Sequence, residues 1–116
     1  MDKLVKEKIP LRVLVVDDSA LYRQMLVRAF ADLDGVEVVD VAVDGVEALE
    51  KIERLTPDLI TLDVQMPRLD GLGVLRELSR RSLNTTVLMV SSVTAEGAPA
   101  TVDALLNGAI DCILKP

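Results

Sequence analysis

The chain has 116 residues, half of them hydrophobic but only 2% aromatic, and a net charge of −6. That suits one domain with a core of Val, Leu, Ile and Ala, and it offers neither stacking platforms for single strands nor cations for a phosphate backbone. One cysteine, Cys112, excludes an internal disulfide framework, and the lack of histidine excludes Ser-His-Asp catalysis and histidine-bound zinc within the chain.

The N-terminal "MDKLVKEKIP" is charged and has no signal-peptide core. "LRVLVV" (Leu11 to Val16) is a short apolar run, expected of a strand buried on both faces. After "DDS", Tyr22, Met25, Leu26, Ala29, Phe30 and Leu33 recur at helical spacing, which predicts one face of an amphipathic helix ended by Asp34-Gly35. "VEVVDVAV" (Val36 to Val43) reads as a second strand. Asp44-Gly45 opens a helix carrying Ala48, Leu49, Ile52 and Leu55, which Thr56-Pro57 ends.

"DLITL" (Asp58 to Leu62) is the third strand, and Gly71 to Arg81 the next helix, burying Val74, Leu75 and Leu78. "TTVLMV" (Thr85 to Val90) is the fourth strand. The segment "TAEGAPATVDALLNG" predicts a helix burying Val102, Leu105, Leu106 and Ala109, weakened at its start by Gly97 and Pro99. "IDCIL" (Ile110 to Leu114) is the fifth strand. No run is long enough to span a membrane, and a cytoplasmic protein is expected. Strict (βα)4β alternation predicts a parallel sheet with right-handed crossovers. A fifth helix is expected after the last strand, so the sequence is expected to be a segment of a longer protein whose last strand is left uncovered on one side.

In an open parallel sheet the carboxyl ends of the strands line one rim, where ligands bind. Strand one ends in Asp17 and Asp18, strand three in Asp63, strand four in Ser91 and Ser92, and strand five in Lys115. Two like charges about 4 Å apart repel by about 4 kcal/mol at an effective dielectric near 20, so such a rim raises a pKa or takes a cation. All-oxygen ligands favour a hard ion, Mg²⁺ before zinc or copper. With a lysine opposite, the rim can cradle a phosphoryl group, and a carboxylate can attack phosphorus to give an acyl phosphate.

Taken singly, each residue has an ordinary explanation. Asp18 or Ser19 can cap a helix, Asp63 a turn, Ser91 and Ser92 can be loop residues, and Lys115 a surface lysine. Their convergence on one rim favours a functional reading. Asp44-Gly45 and Asp70-Gly71 read as turns at helix starts, and Cys112 as a small packed residue.

The segments "VLVVDDS", "LDVQMPRLDG", "VLMVSS" and "GAIDCILKP" resemble, in order and spacing, the bacterial response-regulator receiver domain. The resemblance covers Leu11 to Pro116, with residues 1–10 as an N-terminal extension, and implies the flavodoxin-like fold with strand order 2-1-3-4-5, here lacking the last helix. It implies Asp63 as phosphoacceptor. Asp17, Asp18 and Asp63 with the Gln65 carbonyl become Mg²⁺ ligands, Ser91 the hydroxyl that turns to the phosphoryl group, and Lys115 its cationic contact. One departure stands out: where most receivers carry a switching Tyr or Phe, this chain has Cys112.

"DDSALYRQML", "PDLITLDVQMPRLDGL" and "SSVTAEGAPATVDALLNGAIDCILKP" are more narrowly similar to the receiver half of the chemotaxis protein-glutamate methylesterases. That implies a histidine kinase as phosphodonor and an attached esterase domain, outside this sequence, acting on chemoreceptor glutamates and glutamines. It implies no direct contact with nucleic acid and no membrane insertion. Other readings are a transcriptional or stand-alone response regulator, a Mg²⁺-dependent aspartyl-nucleophile phosphatase, and an inert receiver-like interaction module. The phosphatases usually place their acids as Asp-x-Asp, whereas Asp17 and Asp18 are adjacent.

Overall fold

The computed structural model describes residues 9–91 and 103–115. Its elements in chain order are β1 (Leu11–Val16), α1 (Ala20–Ala31), β2 (Val36–Ala42), α2 (Gly45–Leu55), β3 (Leu59–Leu62), α3 (Gly71–Arg80), β4 (Thr86–Ser91) and β5 (Asp111–Leu114), with residues 103–106 helical before β5. All strands pair in parallel, in the order β2-β1-β3-β4-β5. The flavodoxin-like α/β fold read from the sequence is therefore present.

α1, α2 and α3 each start on the polar residue that the sequence supplies. Ser19 caps α1 by accepting from the Tyr22 amide, Asp44 caps α2 through Glu47, and Asp70 caps α3 through Gly73. Val13 to Val16 of β1 are fully buried because the strand lies between β2 and β3 with helices over it. By alternation, Leu14 and Val16 join Ile60, Leu62, Val87 and Met89 under α2, α3 and Ala104 in one core.

The opposite sheet face is covered, among the described elements, by α1 alone, which packs on β1 and β2. This corrects the expectation for that helix. Met25, Ala29 and Leu33 are exposed, Tyr22, Leu26 and Phe30 are only half-buried, and α1 has no fully buried residue. The apolar stripe is real, but the sheet beneath it is only partly roofed. Ile113 of β5, on the same face, is 48% exposed.

A second correction concerns the segment before β5. Ala104 and Ala109 are buried, but Leu105 is 44% and Leu106 79% exposed. Of the described helical residues Ala104, not Leu105 or Leu106, joins the core, and Ala109, beyond the helix, joins it as expected. Val102 lies outside the described residues.

Candidate functional site

The rim residues are held by extensions of the backbone ladder. The Asp17 amide donates to the Ala42 carbonyl at 3.1 Å, the Asp63 amide to Val16 at 3.0 Å, and the Lys115 amide to Ser91 at 2.9 Å. Each charged residue is thus the first beyond its strand yet still bonded to the neighbouring strand. That fixes its backbone without placing its side chain in the core.

Asp17 is pinned further. Its carbonyl accepts from Arg23 Nη1 at 2.7 Å and its Oδ1 from the Ser19 amide at 2.9 Å. Its Oδ2 lies 2.9 Å from Lys115 Nζ, and Asp63 Oδ2 lies 3.2 Å from the same nitrogen. All three side chains are nearly buried. The ammonium donates to Asp63 Oδ2 and forms a close ion pair with Asp17 Oδ2.

Asp18 is exposed at the mouth. It lines, with Asp63, Gln65, Met66 and Lys115, an open cleft of about 430 Å³. A separate groove of about 480 Å³, between α1 and β2, is lined by residues such as Arg23, Arg28 and Val41 and contains no carboxylate. One oxygen each from Asp17, Asp18 and Asp63 lie within 4.8 Å of one another. Two buried carboxylates and one exposed carboxylate form an all-oxygen set that fits a hard divalent cation.

Burial pushes the Asp63 carboxyl up to about 6, the Asp17 charge adds to the rise, and Lys115 and the Gln65 amide oppose it. Burial alone would lower the Lys115 pKa, but the Asp17 and Asp63 carboxylates outweigh it and hold the ammonium above its ordinary value. Ser91 is buried at the end of β4 beside Lys115, and Ser92 lies outside the described residues.

The chain leaves Asp63 through a tight loop. The Gly71 amide returns to the Val64 carbonyl at 2.9 Å, so the loop closes just beyond the acid. A Cβ on Gly71 would sit 2.3 Å from the Asp63 carbonyl oxygen. The loop is also clasped to the start of α2. Gly45 donates to the Leu69 carbonyl at 3.0 Å, and Arg68, in the left-handed region at φ +67°, pairs with Asp44 at 2.7 Å. The two Asp-Gly steps read as turns at helix starts are therefore also the supports of this loop. Sequence reading missed Arg68, and it missed Tyr22 as a site neighbour: Lys115 Nζ lies 4.3 Å from the centre of its ring. Cys112 packs half-buried against the main core, and its thiol pKa is raised by burial and by Asp111, as suits an unreactive packed residue.

A parallel sheet of this order, with acids at the ends of β1 and β3 and a lysine after β5, is the arrangement of a receiver. The match to the response regulator receiver domain family runs over residues 13–116, and the chain belongs to that family. Within it, the chain is 54% identical over 107 residues to protein-glutamate methylesterase/protein-glutamine glutaminase 1 of Xanthomonas campestris, covering 92% of this chain and 30% of that one. It is 56% identical over 106 residues to protein-glutamate methylesterase/protein-glutamine glutaminase 5 of Geobacter metallireducens, covering 90% and 29%. The chain thus spans about three-tenths of the length of these curated relatives. Among solved structures, the response regulator domain of Thermotoga maritima CheB matches with a TM-score of 0.85 and 48% identity, covering 92% of this chain and 79% of that one.

Proposed function

We propose that this chain is the phosphoacceptor module of a two-component chemotaxis system, taking a phosphoryl group on Asp63 and thereby regulating an attached methylesterase. The observation that carries this reading is the buried Asp63 carboxylate facing the Lys115 ammonium at 3.2 Å, with Asp17 and Asp18 beside it. At neutral pH a carboxyl titrating near 6 is mostly ionised, as a nucleophile must be.

An Asp63 oxygen attacks the phosphorus of a phosphohistidine on a kinase. The new O–P bond forms as the P–N bond breaks, and the imidazole nitrogen keeps the electron pair. Lys115 turns from the carboxylate to the phosphoryl oxygens, with its backbone held by Ser91. The Ser91 hydroxyl donates to one phosphoryl oxygen. Asp17, Asp18, Asp63 and the Gln65 carbonyl would hold Mg²⁺, which when bound offsets the carboxylate repulsion and neutralises charge on the transferred group. The added charge draws on Ser91, and the chain beyond it carries the change to a partner surface.

The methylesterase identity of the whole protein is supported by the names of the curated relatives; a histidine kinase as donor, chemoreceptors as the parent's targets and a cytoplasmic setting are parts of the same proposal. Among the described residues no helix is long and apolar enough to cross a membrane. The test is intact mass after incubation with acetyl phosphate and Mg²⁺. A gain of one phosphoryl group, lost with chelator and in Asp63→Asn, supports the reading. A folded chain that gains none contradicts it, and turnover of small phosphate esters would point instead to a phosphatase.

A further inference from the structure

We infer that Tyr22 is a positioning residue for Lys115, its ring face holding the ammonium in place while the carboxylate partners of that ammonium change. The inference deepens the phosphoacceptor reading and rests on it. A lysine ammonium has three N–H donors and no acceptor. Two of its close neighbours here are Asp17 Oδ2 at 2.9 Å and Asp63 Oδ2 at 3.2 Å. Among the described residues, the Tyr22 ring, centred 4.3 Å away, is the third. The ring face carries negative quadrupole density and attracts a cation, most strongly where water is excluded. The Lys115 side chain is only 7% exposed.

The three neighbours have different fates in phosphoryl transfer. One Asp63 carboxylate oxygen becomes phosphorylated, so the group no longer offers Lys115 a full carboxylate charge. Asp17 belongs to the acid cluster, so a cation that enters the cluster shares its charge. The ring takes part in neither event, so it is the contact that persists. It is also well anchored. The Tyr22 amide donates to the Ser19 cap at 3.4 Å, and the next residue, Arg23, grips the Asp17 carbonyl at 2.7 Å. The first turn of α1 is therefore fixed to the acid that Lys115 faces.

The experiment uses the unaltered chain, Tyr22→Leu and Tyr22→Phe, each shown to be folded by its urea midpoint. Tyr22→Met is the substitute if the leucine variant fails to fold. The first readout is the ring-current shift of the Lys115 Cε protons, measured by NMR without metal or donor. The second is the rate at which Asp63 gains mass from acetyl phosphate with Mg²⁺. Loss of the ring is expected to abolish the upfield shift and slow phosphorylation roughly three- to ten-fold, the range set by a partly desolvated cation–π contact. Phenylalanine keeps the ring and is expected to retain the shift and a rate within about two-fold of the parent. A leucine variant phosphorylated at the parental rate overturns the inference alone, and so does a phenylalanine variant as slow as leucine. An unaltered chain that shows the shift but takes up no phosphoryl group overturns the inference together with the phosphoacceptor reading.

Discussion

Thr61 hides a hydroxyl in the middle of the sheet. It pairs in register with Val15 on one side and Leu88 on the other, it is fully buried, and its Oγ1 has no hydrogen-bond partner among the described residues. An unmet buried hydroxyl costs about 1–3 kcal/mol, so Thr61→Val, which keeps the branched shape, is expected to stabilise the fold by about 1 kcal/mol. The urea midpoint should rise with no change in slope; a lower midpoint would mean that the hydroxyl is paired. Asp63 carries a strain of another kind. Its folded-state pKa of about 6 lies above the value near 3.9 of an unfolded aspartate. The folded state therefore binds the proton more tightly, and without metal the ionised group destabilises the fold fully above pH ~6 and progressively less toward pH ~4. Asp63→Asn in chelator should accordingly be more stable than the parent at pH ~7.5, by about 1–3 kcal/mol, and the gap should close as the pH falls. A gap that widens in acid would contradict the burial assigned to this carboxylate. Asp17, Asp63 and Lys115 were readable as a group because a strand-end position follows from an apolar run. Tyr22 was not, because at helical spacing a tyrosine looks like any other residue of an apolar stripe.

At the scale of elements, the boundaries of the five strands and of α1, α2 and α3 follow the sequence signals within a residue or two, and of the two candidate caps before α1 it is Ser19 that serves, as Asp44 and Asp70 do for α2 and α3. Burial along the helices was less readable. The period of Leu105 and Leu106 marks a stripe but cannot say which side of the sheet has cover, and here Ala104 joins the core instead. The loop after Asp63 shows how turn chemistry becomes site chemistry. Gly71 begins α3, yet its missing side chain is also what lets the helix meet the Asp63 carbonyl. Gly71→Ala leaves no room for its Cβ at 2.3 Å from backbone oxygen, so the loop must shift. The expected result is a loss of about 2 kcal/mol or more in urea unfolding, together with slower phosphorylation of Asp63. An alanine variant with parental stability and rate would show that the loop has slack.

At the scale of the molecule, the site draws on residues from Asp17 to Lys115, so it forms only when most of the sheet has formed. The parts are not equally secure. Asp17 and Asp63 hang on the interior strands β1 and β3, whereas Lys115 follows β5, a short edge strand bonded only to β4, with Ile113 48% and Leu114 60% exposed. Local opening starts where buried contacts are few. Amide exchange is therefore expected to be fastest at Ile113 to Lys115 and slowest in β1 and β3; equal protection across the sheet would refute this order. The consequence reaches beyond stability. As the chain warms, fraying of β5 removes the lysine while the aspartates stay fixed, leaving a strongly anionic pocket with no internal counter-ion. Such an intermediate would attract stray cations and could not steady a phosphoryl group, so signalling competence should fail at a lower temperature than the fold itself.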